Sequence, residues 1–516
     1  MQIVSESYNA YPNERWSNIR VVFELVDVDA AEDATATATS EAEISQLSQT
    51  HNRINEISKK LATLEQDYFL LDGTYVLPDE TDNTEVGWWS NEISNINGVL
   101  ETPQVLEFNF TENQSSVGFM VIFDTKANEY ASDFKIEIFD AQNTLLGEDS
   151  VIGNTKHTYI SEMPVENYRK VRITFTKTSK PYRRVRVCEV VFGIIQTFDD
   201  ANTTNLKLLY EISPSMENLP SNELTITIEN TDRKYNMINP KGIYKYLQQG
   251  QGLNVELGVG QIKETVERVN MGRFYFTAAT AEDSSMTAQI VAHDWFYALD
   301  SSTCRIGANG TWTVSEAVTA VITDSGLPIT ASIPSTISSR IINKCIPRET
   351  SHREALRLIA QASMSVCHFS RNNELVFMEL IEAEPVDTLD NSNLYNPAKV
   401  MVSDRINKIE IAVRDEYAQT EVIYTATNKD SGETDKVKAI SNPLAASQTV
   451  AEWFLTVLQR RIYYDLQERG NPAREITDIV KIYDAYFENR NAIITKQEYL
   501  FDGTLRANSE AWGGGI

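Results

Sequence analysis

Only four cysteines and five histidines occur in 516 residues, and this scarcity excludes much of the chemistry a chain of this size can carry. Cys188, Cys304, Cys345 and Cys367 show no C-x-x-C spacing, and each lies in or beside an apolar stretch. They read as buried free thiols rather than disulfides or metal ligands, which fits assembly in a reducing cytoplasm. No run approaches the roughly 18 apolar residues of a membrane-spanning helix. The start, MQIVSESYNAYPNERW, has neither a basic n-region nor an apolar h-region, so it does not read as a signal peptide. The H-E-x-x-H, G-x-S-x-G and Walker patterns are missing. Gly258-Val259-Gly260 lacks the rest of a dinucleotide fingerprint, and no repeat recurs at solenoid periods. No catalytic residue, metal ligand or cofactor is therefore assigned.

Basic side chains are also short in supply, 46 against 73 acidic, for a formal charge of −27. Such a chain repels nucleic acid and anionic membrane, so neither stable nucleic-acid binding nor a membrane span is expected. The acidity serves solubility, or it lines a conduit through which DNA passes without sticking. A hydrophobic content of 42% with 9% aromatics is that of an ordinary globular protein. The length divides among three to five domains.

The most informative stretch is residues 221–251, SNELTITIENTDRKYNMINPKGIYKYLQQGQ. Leu224, Ile226 and Ile228 alternate with Thr225, Thr227 and Glu229, the period of a sheet with one buried face. Turn chemistry follows at Asn230-Thr231-Asp232 and Asn239-Pro240-Lys241-Gly242. Leu253-Asn254-Val255-Glu256-Leu257 then alternates again.

Elsewhere, residues 18–28 predict a strand and 29–39 a loop or extended arm. Ser40 and Glu43 form a capping-box pattern that predicts a helix to about Gln66, with Ile44, Leu47, Ile54, Ile57, Leu61 and Leu64 as its stripe and His51 on the same face. Six strand candidates between 105 and 193 suggest a β-sandwich over 73–195. Thr313–Glu316 and Ser351–Glu354 cap two helices, and Ser447 starts a long helix to Glu468. Strands return at 407–415, 420–428, 478–486 and 491–503, and the end from Trp512 to Ile516 reads as a flexible tail.

His293-Asp294 ends a strand before an aromatic cluster and reads as structural. Ser351 beside His352 has a sufficient role as a cap, and Cys367 and His368, adjacent on a strand, point to opposite faces. Trp88-Trp89 offers an aromatic platform for a sugar, or an anchor for the sandwich. Lys180-Pro181-Tyr182-Arg183-Arg184 is a basic turn that meets an anionic wall polymer or an acidic neighbour, or is simply solvated. Trp88, Trp89, Tyr182, Arg183 and Arg184 are thus the candidate carbohydrate or partner surface.

The strand ending in ENTDRKYN, with NPKGIYKYLQQGQ and a further strand after it, resembles the opening of the hub domain in bacteriophage baseplate-hub and tail-tip proteins of Gram-positive hosts. The stretch 314–328 and the pattern at Ser351, Arg353, Glu354, Ala355 and Leu356 resemble the middle domain of the same family. GWWSNE and the order of strands in 73–195 resemble a discoidin-like, galactose-binding-like insert.

What the resemblance implies is an α+β, β-rich multidomain chain: an N-terminal strand, arm and long helix (1–72), the sandwich (73–195), a first hub β-barrel (196–310), a mixed α/β middle domain (311–399) and a second hub β-barrel with a long helix (400–516). It implies a non-enzymatic homotrimer at a virion tail tip or baseplate, assembled in the host cytoplasm. The trimer would close the tail tube, bind a tube or distal tail protein and a spike, fibre or lytic component, and open for DNA or effector passage. Tyr244, Tyr246 and Leu247 are the expected contact between subunits, and a host cell-wall saccharide is the expected ligand if the sandwich binds receptors.

Overall fold

The computed structural model describes residues 1–52, 57, 59–69, 71–77, 85–236, 238–239, 242–281, 286–307, 310–381, 383–415, 419–428, 436–483 and 489–513. The chain divides into two compact units, one of residues 1–22, 197–236 and 252–516, the other of residues 23–196 and 237–251. Strands dominate both and helices are few, the longest having 12 residues among those described.

In the first unit the alternating segments do what their period requires. Leu224, Ile226 and Ile228 are fully buried, as are Leu253, Val255 and Leu257. Glu223–Glu229 pairs with Thr287–His293 on one side and Thr203–Glu211 on the other, all antiparallel. Thr203–Glu211 then pairs along its far edge with Asn489–Phe501, placing Leu206 opposite Phe501 and Leu208 opposite Tyr499. Leu505–Gly513, Ile462–Glu468 and Lys399–Val402 continue the order. One 13-stranded sheet therefore runs through both regions expected to be separate barrels. The region 400–516 is itself divided. Lys408–Asp415 joins Thr420–Thr427 and Val437–Ser441 in a separate three-stranded sheet. The helix Gln448–Gln459 packs Val450, Ala451 and Phe454 into the same apolar cluster as Ile409 and Ile411.

The middle region has the expected capped helices. Thr313 and Glu316 satisfy each other's backbone amides at the start of Val314–Ser325, and Gly326 ends it at a left-handed φ of 69°. Ser351 accepts from the Glu354 amide at the start of His352–Ala362. Both helices bury their apolar faces in one core with Met216, Tyr275, Trp295 and Phe296.

In the second unit a five-stranded sheet lies in the order Thr35–Ala38, Val99–Ser116, Val165–Thr178, Ala131–Phe139, Leu145–Val151. A four-stranded sheet has the order Trp88–Trp89, Arg186–Val191, Phe119–Phe123, Thr158–Ser161. Phe108, Ile136 and Ile173 of the first sheet and Phe119, Val121 and Val187 of the second share one core, which makes a sandwich.

Two predicted helices are corrected. No helix spans 40–66 among the described residues; a single 3₁₀ turn, Leu47–His51, is present. Ile54 lies outside the described residues. Ser40 does not cap: its hydroxyl donates to Gln104 Oε1 at 2.5 Å and accepts from the Asn91 amide at 3.0 Å. Ile57 packs with Met120, Ile122 and Cys188, Leu61 with Val86 and Trp89, and Leu64 is 97% exposed, so the stripe is split between separate sites. The expected loop at 29–39 instead holds the helix Val28–Asp33 and the strand Thr35–Ala38. The second correction is at the far end. The helix begun after Ser447 stops at Gln459, because Ile462, Tyr464 and Leu466 alternate into the core of the large sheet.

Asp294 ties the large sheet to the helix Trp295–Asp300. Its carboxylate accepts from Ser221 Oγ at 2.7 Å, the Asn222 amide at 3.0 Å and the Phe296 amide at 3.0 Å. Burial nevertheless pushes its pKa up to about 6, against an ordinary value of 3.8. Between those pH values the unfolded chain loses the proton and the folded chain keeps it. Stability therefore falls as pH rises through this window, by on the order of 3 kcal/mol, and is flat for this group on either side. Asp294→Asn is expected to flatten the urea midpoint between pH 4 and 6, where the unmodified chain declines.

Candidate functional site

The residues expected to form a carbohydrate surface lie largely inside the sandwich. Trp88 and Trp89 are 0% and 1% exposed. Trp88 donates from Nε1 to the Ser40 carbonyl at 2.9 Å and stacks on Phe175 at 5.7 Å between centroids. Trp89 donates to the Val86 carbonyl at 3.0 Å. Neither face is free for a sugar ring, so the platform reading is corrected to the anchoring one.

The basic turn is also wired inward. Arg183 Nε donates to Glu129 Oε1 at 2.7 Å, and its guanidinium reaches the carbonyls of Gln66 at 2.6 Å and Asp67 at 2.9 Å. Arg184 donates from its amide to Glu65 Oε2 at 3.0 Å and from Nη1 to the Ser90 carbonyl at 2.9 Å. Tyr182, held at a φ of 57°, is half-buried.

The centre of this group is Arg186, which was not singled out in the sequence. Its guanidinium donates to Glu65 Oε1 at 2.5 Å and to Glu129 Oε2, and it lies 4.1 Å from the Tyr68 ring centre and 4.2 Å from that of Trp89. The side chains of Arg186, Glu65 and Glu129 are 1%, 0% and 5% exposed. The available signal was a pair of charged residues, Arg186 and Glu189, in a short strand whose other residues are apolar, RVCEVV.

The other candidates have structural roles. His293 stacks on Tyr297 at 4.6 Å and meets Thr277 Oγ1 at 3.1 Å. Cys367 is buried in the core, where desolvation raises its thiol pKa, and burial lowers His368 to about 4. All four cysteines are buried, and none is in a disulfide. His51 meets Phe108 edge-on at 5.8 Å. Among the described residues, Cys304, Asp324 and His352 come together with metal-ligand atoms facing one another. A groove of about 250 Å³ in the first unit is lined in part by Arg340, Glu379, Trp453, Arg460 and Trp512. Arg340 and Glu379 pair with each other, and Arg460 lies over Trp512.

Hydrogen bonds hold Asn230 and Gln251, at the two ends of the excursion, each within its own unit. Asn230 is fully buried, accepts from the Tyr235 amide at 3.2 Å and donates to Asn236 Oδ1 at 2.7 Å. Gln251 Nε2 donates to the carbonyls of Tyr246 at 2.8 Å and Val26 at 3.0 Å. Tyr246 is 7% exposed, whereas Tyr244 and Leu247 are half-buried. Of the three expected contact residues, Tyr246 therefore supports its own chain. Exposed apolar side chains gather instead on two strands, with Val400, Met401 and Val402 on Lys399–Val402 and Val422 and Ile423 on Thr420–Thr427.

No family model matches the chain, and no curated protein matches it. Solved structures similar to it include a tail protein from Neisseria meningitidis, at 9% identity and TM-score 0.46, covering 61% of this chain and 93% of that one. A type VI secretion component from E. coli, described as similar to the T4 phage tail proteins gp27 and gp5, aligns at 10% identity and TM-score 0.36, covering 60% and 73%. A fucose-binding module from Streptococcus pneumoniae aligns at 11% identity and TM-score 0.21, covering 33% and 94%. At these scores the likenesses carry no argument about what this chain binds or builds.

Arg186→Met would leave Glu65 and Glu129 buried without their main partner. It is expected to destabilise the sandwich by roughly 3–5 kcal/mol, read as a lower urea midpoint in tryptophan fluorescence. Lys135→Met, which removes a partly exposed pair with Glu148, is expected to leave that midpoint in place.

Proposed function

We propose that this chain is a structural hub of a phage tail or tail-like particle, closing the distal end of the tail tube as a homotrimer. The hub joins the tube to a spike, fibre or lytic component and opens for DNA or effector passage. The observation that carries the reading is the pairing of Thr203–Glu211 with Asn489–Phe501, which fuses two antiparallel strand sets edge to edge. A trimer of such chains offers six strand sets, the number a ring needs to continue a sixfold tube. The sequence resemblance over residues 221–251 and 349–379 supports the same reading.

Exposed Val400, Met401, Val402, Val422 and Ile423 also support it, since apolar strands left open to water favour cover by another chain. Three copies would carry three times −27, or −81, and acidic side chains along the lumen would let DNA pass without adhering. Tyr244 and Leu247 form the contact between neighbours, on a segment anchored by the bond from Gln251 to the Tyr246 carbonyl.

Native mass spectrometry of the purified chain is expected to give a trimer, and particle imaging a threefold density at the tail tip. A monomer at every concentration would count against the hub. Tyr244→Ser with Leu247→Ser should weaken trimer formation by at least about tenfold, as loss of well-packed interface side chains does, with the unfolding midpoint unchanged. Tyr246→Ser should lower that midpoint instead.

A further inference from the structure

We propose that Cys304, Asp324 and His352 form a binding site for a divalent transition-metal ion of the zinc class. One ligand atom from each lies within 4.8 Å of the others. The three arrive from separate elements. Cys304 follows the bridge between Thr303 and Ser351, Asp324 sits in the last turn of Val314–Ser325, and His352 opens His352–Ala362. Thiolate sulfur, imidazole nitrogen and carboxylate oxygen together are a donor set that zinc accepts, and three protein ligands leave a fourth position for water. Asp324 is exposed while Cys304 and His352 are buried, so that fourth position opens toward solvent and gives the ion its entry path.

The surroundings already orient His352 and Asp324. His352 Nδ1 lies 3.2 Å from the Ser302 carbonyl and 2.8 Å from Ser302 Oγ. Nε2 lies 3.0 Å from Asp324 Oδ2. Donation from Nδ1–H to the Ser302 carbonyl would free the Nε2 lone pair for a metal ion. A backbone carbonyl behind the distal ring nitrogen is the usual support of a metal-bound histidine. Asp324 Oδ2 is fixed by the Arg305 amide at 2.7 Å. A hydrogen bond from Nε2–H would account for His352 and Asp324 alone, but it gives no role to the thiol beside them. Binding releases the thiol proton to solvent, so affinity rises with pH.

The test uses the full chain, stripped with a chelator and titrated with Zn²⁺ and with Co²⁺. One equivalent of Zn²⁺ is expected to bind and to raise the melting temperature. Co²⁺ is expected to show a thiolate charge-transfer band that Cys304→Ser abolishes. Asp324→Asn and His352→Gln should each weaken Zn²⁺ by at least about tenfold. Asp324 is exposed, so Asp324→Asn keeps the test independent of whether a core cysteine can be replaced. Absence of bound Zn²⁺, a Co²⁺ spectrum unchanged by Cys304→Ser, or equal Zn²⁺ affinity in all variants would overturn the site; the last would place the ion among the many surface carboxylates.

Discussion

The pairing of Thr203–Glu211 with strands on both of its edges is the constraint on which the first unit depends. The segment has Glu223–Glu229 on one side and Asn489–Phe501 on the other, so from Leu206 to Leu209 it is paired along both edges. Leu206, Leu208 and Tyr210 face the core, and a slip of one residue would turn all three toward solvent. Tyr499, opposite Leu208, extends the lock by donating to the carbonyls of Asn471 at 2.7 Å and Arg474 at 3.2 Å. Arg474 in turn pairs with Glu468, both side chains 0% exposed. Sequence positions about 300 apart are thus held in one register, and any motion of this region carries both strand sets together.

Buried guanidinium groups recur in a chain that is short of basic residues. Arg186 is enclosed by two glutamates and two rings, and Arg474 by Glu468. Arg371 relies on carbonyls, reaching those of Pro472 and Arg474. Desolvating such groups costs several kcal/mol each, so they are poor evidence of net stability. What they supply is position: Arg186 and Arg474 each tie a loop to a strand, and Arg371 ties one loop to another, with directional bonds that an apolar residue could not make. The turn that looks most basic in the sequence, Lys180–Arg184, consequently offers little free positive charge to an anionic polymer. That weakens the carbohydrate reading from the side of charge, as the burial of Trp88 and Trp89 does from the side of stacking.

Strands were legible where one face is wet. LTITIEN and LNVEL alternate cleanly because their outward residues are polar, and Leu224, Ile226 and Ile228 lie where that pattern puts them. Helix caps were legible too, since Thr313 and Ser351 act through bonds three residues away. The failures came where tertiary contacts decide. The 40–66 stripe has helical spacing, but Ile57 and Leu61 serve different apolar clusters and Leu64 serves none. At 460–468 the helical period was extended past its end, although Ile462, Tyr464 and Leu466 alternate in plain sight. Arg186 was missed because a pattern marks a charged residue in a strand as an exception, and only the fold reveals Glu65 and Glu129 beside it.

The excursion after LTITIEN shows how anchoring and presentation divide within a few residues. A loop that must be ordered on assembly costs binding free energy, and one ordered beforehand does not. Here Asn230 closes the turn against Tyr235 and Asn236, and Gln251 closes the far end against Tyr246 and Val26. Each of these bonds is made inside one chain. Tyr244 and Leu247 remain only half-buried. If they meet a neighbouring copy as proposed, side chains on such an anchored segment would lose little freedom on binding. Tyr246 resembles Tyr244 in type, yet it is buried and its carbonyl accepts from Gln251, so its place is in the support and not in the proposed contact.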